Sequence, residues 1–535
     1  NNQDNVELSS VNNKVVTNIH IGTKNQSNTA APIVKSIIYG SGIKDKVESS
    51  NVELLANSNK NNITVYGGSN KESITDVSNV NVIGGNIATI YGGSNQKGTV
   101  TKSIVNLTSG RIPNTYGGGN QISVAETHVN LKGATATNIY GGSNGSGECP
   151  VTNVELISGS ASNVYGGGLN VAATTTNVIL RGGRAGNIYG ASNSGGQCTN
   201  TNVSLKTGSA SNVYGAGQRT GANTTNVVLE GASITRINGG CYGGVNIAES
   251  KGDVANANVT VKSGYVETVY GGNYNGGTNQ NATVNIQDTG RVTNEVYGGG
   301  YKSPVGTEEQ KGSITVNIIG GTVSKHVHGG SREELVNANI NINVGKNQTA
   351  NLTIGGNIYG AGASEKADNL DIVGENYDYN YVSVNGTINV NIYGSTSYAF
   401  NMTGSIFGAG NAATYNGTSN INIHNLGTSN RQITITSIQR ATNVNIDNSY
   451  LELIGISDTN NYYKKTSYTF NRIDSLTLYN NAYIYLRRGV NLVKEYNSLK
   501  GYDSSGNKIK ETVTIANGQE TKNVDNRIYV IEGIN

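Results

Sequence analysis

The sequence is poor in charge, in cysteine and in the larger aromatic residues. Among 535 residues there are no Trp, 3 Phe and 3 Cys, and 14% of the residues are charged. So little charge excludes a disordered chain that is held open by its own charges, and three cysteines are too few for a disulfide framework. The net charge of +3 is too small to suggest a nucleic-acid-binding protein, and no stripe of Arg or Lys follows the repeat. No apolar run is long enough to insert into a membrane.

A short phrase recurs through the chain instead: a Tyr followed by two small residues, as in Val65-Tyr66-Gly67-Gly68. A fixed period of this length is typical of a solenoid, whose units cannot bury their apolar faces alone and must stack. The tyrosines of the regular part lie 24 or 25 residues apart, and they are Tyr66, Tyr91, Tyr116, Tyr140, Tyr165, Tyr189 and Tyr214.

The remainder of each repeat predicts strands. Before each Tyr stands a run such as Thr152-Asn153-Val154-Glu155-Leu156, in which apolar residues are two apart and the intervening residues are mostly polar. This alternation is typical of a strand. A turn follows, usually with a glycine (Gly159, Gly183, Gly208), and a second short strand leads into the Tyr. We therefore predict an all-β fold, a parallel β-solenoid (β-helix) of about 24–25 residues per coil.

Changes in the spacing divide the chain into four expected parts. Residues 1–35 lack the Tyr phrase and are an N-terminal cap or a joining segment. Residues 36–246 are the regular solenoid, and residues 247–411 keep strand-like cores while the steps lengthen to between 27 and 48 residues. The added length is expected in loops on one side, where solenoids commonly bind partners. Residues 412–535 form an irregular C-terminal β-helix section.

The beginning of the chain and its number of coils give two further expectations. The chain opens on Asn1-Asn2-Gln3 without an initiator methionine or a signal peptide, so we expect a processed piece whose export signal has been removed. About fourteen coils stacked at ~4.8 Å would give on the order of 65 Å, and the C-terminal section would bring the rod towards 100 Å.

Each position of a solenoid repeat becomes a column of like residues. The Thr column should point inward or lie at a corner and hydrogen-bond to itself or to backbone. The Asn column should lie at a bend, where amides stack into ladders. The glycines after Tyr should permit a tight turn or a positive φ. The outward positions form no regular Thr-x-Thr array, which argues against ice binding. The Thr column is Thr127, Thr152, Thr176, Thr201 and Thr225, and the Asn column is Asn138, Asn163, Asn187 and Asn212.

Two interpretations of the Tyr column remain open. If Val164 faces inward, Tyr165 faces outward, and the column from Tyr66 to Tyr214 is an aromatic stripe. Stacked rings stabilise the rod, but the stripe is also a candidate surface for a sugar ring or for lateral contact with another rod. If the corner falls one residue later, Tyr lies inside and this binding surface does not exist.

Candidates for chemistry are few. The one compact acidic set, Asp368, Asp371, Glu375 and Asp378, lies in the longest loop and is a solvated loop, a Ca²⁺ site or a catalytic pair. His326 and His328 are two residues apart, but His328 stands in the Tyr column, so we interpret it as a substitute for Tyr rather than a metal ligand. No Ser/His/Asp or Cys/His set is evident. We predict no catalytic residue, no metal and no cofactor.

The cysteines are expected to be unpaired. Cys149 and Cys198 each follow a Tyr by nine residues, which places them in one column two coils apart with Thr174 between them. They would lie about 10 Å apart at ~4.8 Å per coil, too far for a disulfide bond. Cys241 belongs to a different column.

The coils between residues 62 and 246 and the stretch from Arg472 to Asn481 resemble a known group of proteins. They are similar to the Asn/Thr/Gly-rich β-strand-repeat, adhesin-like surface proteins of low-GC Gram-positive bacteria, and similar proteins occur in gut methanogens. The resemblance covers most of the chain but is one of texture. It implies an exported surface or fibre protein and carries over no functional residue.

We therefore expect an extracellular, non-enzymatic rod that serves as an adhesin stalk or a fibre-forming subunit. Its expected partners are further copies of itself, joined end to end into fibres, or a glycan or protein of a host or surface. The alternative is a carbohydrate-binding or polysaccharide-degrading β-helix that uses the long-loop face between about Tyr242 and Phe407.

Overall fold

The computed structural model describes residues 5–11, 14–22, 37–42, 46–55, 63–231, 234–247, 252–364, 381–457, 467–487, 490–493, 496–502 and 528–531. Within these ranges every regular element is a β-strand. The chain divides into two compact units. The first comprises Asn1–Val259, Gly264–Val266 and Asn275–Gly277, and the second comprises Thr260–Ser263, Glu267–Tyr274 and Thr278–Asn535.

The first unit contains seventeen complete strands among its described residues. They are β1 Asn5–Val11, β2 Lys14–Ile21, β3 Ile37–Tyr39, β4 Lys46–Leu54, β5 Thr64–Tyr66, β6 Ile74–Val82, β7 Thr89–Tyr91, β8 Thr99–Leu107, β9 Arg111–Tyr116, β10 Val124–Tyr140, β11 Val151–Tyr165, β12 Thr175–Leu180, β13 Arg184–Tyr189, β14 Cys198–Leu205, β15 Ser209–Tyr214, β16 Ala222–Leu229 and β17 Arg236–Tyr242. The next two strands, β18 Val254–Val261 and β19 Tyr265–Tyr270, have residues in both units.

The second unit continues with shorter and less regular strands. They are β20 Asn279–Ile286, β21 Arg291–Val292, β22 Val296–Tyr297, β23 Gly312–Ile318, β24 Gly321–Val323, β25 Val327–His328, β26 Ala338–Val344, β27 Leu352–Ile354, β28 Ile358–Tyr359, β29 Val382–Asn385, β30 Ile388–Tyr393, β31 Phe400–Met402, β32 Ile406–Phe407, β33 Thr414–Asn416, β34 Ser419–His424, β35 Ile433–Ile435, β36 Ile438–Asp447, β37 Tyr450–Leu453, β38 Ile456–Ser457, β39 Ser467–Tyr479, β40 Tyr483–Arg487, β41 Val490–Val493, β42 Tyr496–Tyr502 and β43 Ile528–Ile531.

The first strand of each coil pairs in parallel with the first strand of the next. Val154 of β11 lies opposite Val178 of β12, which lies opposite Val203 of β14, so equivalent positions of the repeat are neighbours. Val154 and Leu156 are at most 1% exposed, because alternation along a strand places both on the inner face. The predicted parallel β-solenoid is confirmed.

A glycine links the first strand segment of a coil to the second, either in a turn between two strands or, for Gly159, within the single strand β11. Gly159, Gly183 and Gly208 have φ values of 88°, 76° and 94°, in the left-handed region that a side chain rarely adopts. The predicted glycine turn is therefore confirmed. After it, β13 pairs in parallel with β15, and Tyr189 lies opposite Tyr214.

The glycine directly after each Tyr is required for a different reason from the one expected. A Cβ on Gly166 would lie 2.1 Å from the carbonyl oxygen of Gly190 in the next coil, and a Cβ on Gly190 would lie 2.1 Å from that of Gly215. Gly166 and Gly190 do not have a positive φ. Close approach of successive coils, rather than a left-handed backbone, excludes a side chain here, so of the two expected reasons, a tight turn or a positive φ, the positive φ is wrong at these positions.

The loop after the Tyr phrase has a small core of its own. Ala173, Ala191 and Cys198 are buried together there, at most 1% exposed. All three cysteines are buried and free, as predicted. The residue between Cys149 and Cys198 in their column is Ala173 rather than Thr174, because Thr175 pairs with Val151 and Asn200 and so sets the register one residue earlier.

An antiparallel hairpin stands at the N-terminal edge of the first unit. β1 pairs antiparallel with β2, from Asn5 opposite His20 to Val11 opposite Lys14. β2 in turn pairs in parallel with β4. The edge of β2 that a further parallel coil would use is thus occupied by β1, which fits the interpretation of this segment as a cap.

The first-strand column of the second unit keeps its register while the connections lengthen. Val316 lies opposite Ile342, and Ile342 lies opposite Val390 although 48 residues separate them along the chain. The same parallel pairing continues from β34 through β36 to β39. The longer connections therefore leave the register of this column unchanged, and these strands of the C-terminal section continue the parallel pairing.

Val154→Asp tests the inward assignment of the first strand. Burying an uncompensated charge costs about 3–5 kcal/mol, so we expect a loss of stability of that size in chemical denaturation. Ile157→Asp is the matched control, because Ile157 lies on the same strand but is 40% exposed. Equal unfolding curves for the two variants would contradict the assignment.

Candidate functional site

The Tyr column of the first unit is a continuous stack of rings. From Tyr39 to Tyr242 each ring lies 4.7–5.1 Å from the next, with interplanar angles of 5–13°. The eight rings from Tyr66 onward are only 2–8% exposed. Each inner ring therefore has both faces covered by its neighbours.

Loop residues cover the hydroxyl edge of the stack. The residue four positions after a Tyr reaches the Tyr hydroxyl that lies two coils earlier: Asn144 Nδ2 donates to Tyr91 Oη at 3.3 Å, and Asn246 Nδ2 donates to Tyr189 Oη at 3.1 Å. Where Gln218 takes this place, Tyr165 Oη donates to its Oε1 at 2.8 Å. Burial raises the pKa of Tyr165 above its ordinary value, so the stack holds neutral phenols.

This burial favours one of the two interpretations of the Tyr column. A sugar ring or a second rod can stack only on a ring face that is open, and these faces are occupied. The column of Tyr66, Tyr91, Tyr116, Tyr140, Tyr165, Tyr189 and Tyr214 therefore fits a structural ladder, and an exposed ligand or lateral-contact stripe does not fit its 2–8% exposure. Tyr lies on the opposite side of the strand from Val164, but the loop closes over it.

The Thr column hydrogen-bonds to the backbone where successive coils approach each other. Thr152 Oγ1 donates to the carbonyl oxygen of Gly166 at 2.6 Å, and Thr201 Oγ1 donates to that of Gly215 at 2.6 Å. Both side chains are fully buried. Buried carbonyl groups need a partner, and here the Thr hydroxyl supplies it. The prediction that this column faces inward and bonds to backbone is confirmed.

The Asn column forms the predicted amide ladder. Asn163 Nδ2 donates to Asn138 Oδ1 at 3.1 Å, and Asn187 Nδ2 donates to Asn163 Oδ1 at 3.2 Å. In each of these bonds the later coil donates to the earlier one, and Asn212 continues the series. Uniform direction follows from identical register, because each amide meets its neighbour in the same geometry.

In the second unit the aromatic column is less uniform. Tyr297 stacks on Tyr270 at 5.0 Å, His328 lies 4.4 Å from Tyr297 and 4.9 Å from Tyr359, and Phe407 stacks on Tyr359 at 4.8 Å. The prediction that His328 substitutes for Tyr is confirmed by its pairing with Tyr297 and Tyr359. His328 is fully buried, and neither ring nitrogen has a hydrogen-bond partner among the described residues.

Acid–base groups gather around this histidine. Glu295 Oε1 lies 4.0 Å from His328 Nε2, and Tyr297 Oη donates to Glu295 Oε2 at 2.7 Å. Burial acts to raise the pKa of Glu295, but His328 and the Tyr297 hydroxyl together lower it to about 2. Burial lowers the pKa of His326 to about 4, and its Nδ1 accepts a hydrogen bond from the Asn357 backbone at 2.8 Å.

A partly exposed aromatic and cationic cluster lies four residues after the Tyr column of the second unit. Tyr274 stacks on Tyr301 at 5.1 Å, and the Arg332 guanidinium lies 5.1 Å from the Tyr301 ring centre. Glu333 is paired with Lys302 at 3.1 Å and with Arg332 at 3.2 Å. Glu333 adopts a φ of 64°, an uncommon conformation for a residue with a side chain.

The remaining predicted site lies outside the described residues. Asp368, Asp371, Glu375 and Asp378 all fall within 365–380, which the structure does not describe. Where the structure does describe the chain, no three His, Cys, Asp or Glu side chains are grouped so that they could hold a metal ion. The same ranges contain no helix that is long and apolar enough to cross a bilayer.

Three features were missed at the level of sequence. The contact between a loop residue and the Tyr two coils earlier requires the register, but its signal is visible as the recurrent Asn four residues after Tyr, as in Asn144. In the second unit this position changes to Tyr274, Tyr301 and Arg332, a change that marks the aromatic cluster. Glu295 carries no signal, because its partner His328 is one coil away.

Replacing Glu295 tests the buried acid–base group. A carboxyl whose pKa is lowered from 4.5 to about 2 on folding stabilises the protein above pH 4.5, and this contribution disappears as the pH falls towards 2. Glu295→Gln should therefore lose on the order of 2 kcal/mol less stability than the parent over that interval. Glu308→Gln is the control, because Glu308 is exposed. Identical pH dependence of the melting temperature in Glu295→Gln and the parent would contradict this role.

Comparison of the chain with known protein families, with curated proteins and with solved structures found no match.

Proposed function

We propose that this chain is an extracellular, non-enzymatic structural element, a β-solenoid rod that serves as an adhesin stalk. The observation that carries the proposal is the repetition of one chemistry along each column. Thr hydroxyls, Asn amides and Tyr rings are each bonded or stacked to their own kind or to backbone in successive coils. Such columns repeat one stabilising contact along an axis, whereas an enzyme site brings different groups to one point.

A stalk is favoured over a fibre-forming subunit. End-to-end growth needs an open strand edge at both ends of a coil stack, and β1 covers the edge of β2 in an antiparallel hairpin. A parallel coil of a second copy would therefore meet β1 at this end instead of the edge of β2. The texture shared with adhesin-like surface proteins of low-GC Gram-positive bacteria supports a place at the cell surface.

One observation favours the alternative of carbohydrate binding or degradation on the long-loop side. Tyr274 and Tyr301 form a partly exposed ring pair next to Lys302 and Arg332. Aromatic rings with a polar tip are common where proteins bind other molecules. Both faces of Tyr301 are occupied, by Tyr274 and by Arg332, so we place this cluster second.

Negative-stain electron microscopy of the purified chain over a concentration series tests the proposal. We expect isolated rods with a length on the order of 100 Å at ~4.8 Å per coil, unchanged by concentration. Filaments that lengthen with concentration would show a fibre subunit, and rounded particles would contradict both forms of the proposal. Release of new reducing ends from polysaccharides by the same preparation would establish the enzymatic alternative.

A further inference from the structure

The outward face of the first-strand column in the second unit carries two parallel rows of uncharged polar side chains. One row contains Asn341 and Asn389, and the other contains Asn343 and Asn391, so each of these coils reads Asn-x-Asn. We call this surface the amide face. Its eight members are Asn341, Asn343, Asn389, Asn391, Asn420, Asn422, Asn443 and Asn445, in four successive strands, and all eight are partly exposed.

Hydrogen bonds fix the amides of both rows. Asn420 Nδ2 donates to Asn389 Oδ1 at 2.9 Å in the first row. Asn422 Nδ2 donates to Asn391 Oδ1 at 2.9 Å in the second. Each side chain is thus held in one orientation before any ligand arrives, so little side-chain entropy is lost on binding.

The ladders leave part of each amide available. A carboxamide has two N–H donors and an oxygen with two lone pairs. Within its row Asn422 uses one donor, towards Asn391, and one lone pair, for the 2.8 Å bond from Asn445. Its second donor and second lone pair take no part in these two bonds. The amide face therefore offers alternating donors and acceptors, repeated at every coil.

The fold itself does not require both rows to be polar and uncharged. In the first unit the equivalent second row contains Glu53, Glu155 and Ile179, although the fold is the same. In the second unit the two rows carry no ionisable side chain over seven successive strands, from Thr283 and Asn285 to Ser475 and Thr477. The fold tolerates charge at these positions, so its absence points to what the surface contacts.

We infer that the amide face binds an extended, uncharged polysaccharide. A neutral ligand fits because the rows offer no charge to complement an anion or a cation. Hydroxyl groups both donate and accept, as the remaining amide groups require. An exposed hydrogen bond contributes little alone because it replaces one to water, so a polymer that engages several coils at once is favoured over a single sugar.

The spacing supports a polymer. Coils repeat at ~4.8 Å and alternate side chains along a strand lie roughly 6.6 Å apart, so the amides form a regular two-dimensional array. An extended glycan presents hydroxyl groups at a similarly regular interval along its chain. Tyr393 and His424, stacked at 5.3 Å, form the next outward column beside the array. The inference rests on the proposed adhesive role and names its ligand class.

Affinity electrophoresis of the full chain tests the inference. The gels contain a neutral polymer (glucomannan, xylan or hydroxyethyl cellulose) or the anionic polymer alginate. We expect retardation by at least one neutral polymer and none by alginate. Soluble oligosaccharides should compete more strongly as they lengthen, while a monosaccharide should not compete. Absence of retardation by every neutral polymer would overturn the inference, and so would preferential binding of alginate.

Paired variants separate binding from stability. Asn391→Ala with Asn422→Ala removes one rung of the amide face and should weaken binding at least tenfold. Asn163→Ala with Asn187→Ala removes two bonded neighbours of the Asn column in the first unit, which lies on the second strand of the coil and outside the amide face, and should leave binding within twofold of the parent. Equal losses of binding in the two variants would assign the effect to stability and overturn the inference, as would unchanged binding in the first.

Two controls complete the test. If the Ala pair lowers the melting temperature more than its control does, Asn420→Ser with Asn443→Ser is used in place of the Ala pair. These two residues belong to the first row of the amide face, where Ser475 already stands and donates to Asn443 at 2.9 Å. Loss of concentration-dependent sedimentation in the face variant would instead assign the surface to contact between two copies. Isolated rods in the electron micrographs without polysaccharide binding would refute this inference while leaving the proposed stalk intact.

Discussion

The shared hydrogen-bond register of neighbouring coils is the constraint on which every other feature depends. Thr152, Thr176 and Thr201 are direct partners across parallel strands. A side chain of one coil therefore lies next to the same type of side chain in the next coil. Rings stack, amides join head to tail and hydroxyls reach the same carbonyl. A shift of one residue would exchange the inner and outer faces of a strand and would break all three columns together.

Close approach of the coils explains why the glycine after each Tyr cannot be replaced by a larger residue. The backbone after each Tyr comes so near to the next coil that a Cβ on Gly166 would meet a carbonyl oxygen. That approach buries the carbonyl, and Thr152 satisfies it. The Tyr ring then lies between the strand and the loop, where Asn or Gln from two coils later closes its edge. Stability is therefore local, and each coil depends on its near neighbours.

The fold was predictable because its repeat length can be seen directly in the spacing of residues along the sequence. Val154 and Leu156 alternate, Gly159 marks the turn and Tyr165 marks the coil, so strand pairing followed from spacing alone. The burial of Tyr165 did not follow, because it depends on a loop that folds back over the strand. The amide face did not follow from the regular coils, because Glu155 and Ile179 interrupt the second row there. The acidic set from Asp368 to Asp378 lies outside the described residues.

Deleting one complete coil tests the central claim about register most directly. Removal of residues 166–189 joins Tyr165 to Gly190 and places the first half of β11 beside β14 with every column intact. Removal of residues 166–180 takes fewer residues but leaves a coil without its first strand. The register account predicts a cooperative unfolding transition near that of the parent for the larger deletion and a much weaker one for the smaller. The reverse order of stability, or equal stability, would contradict it.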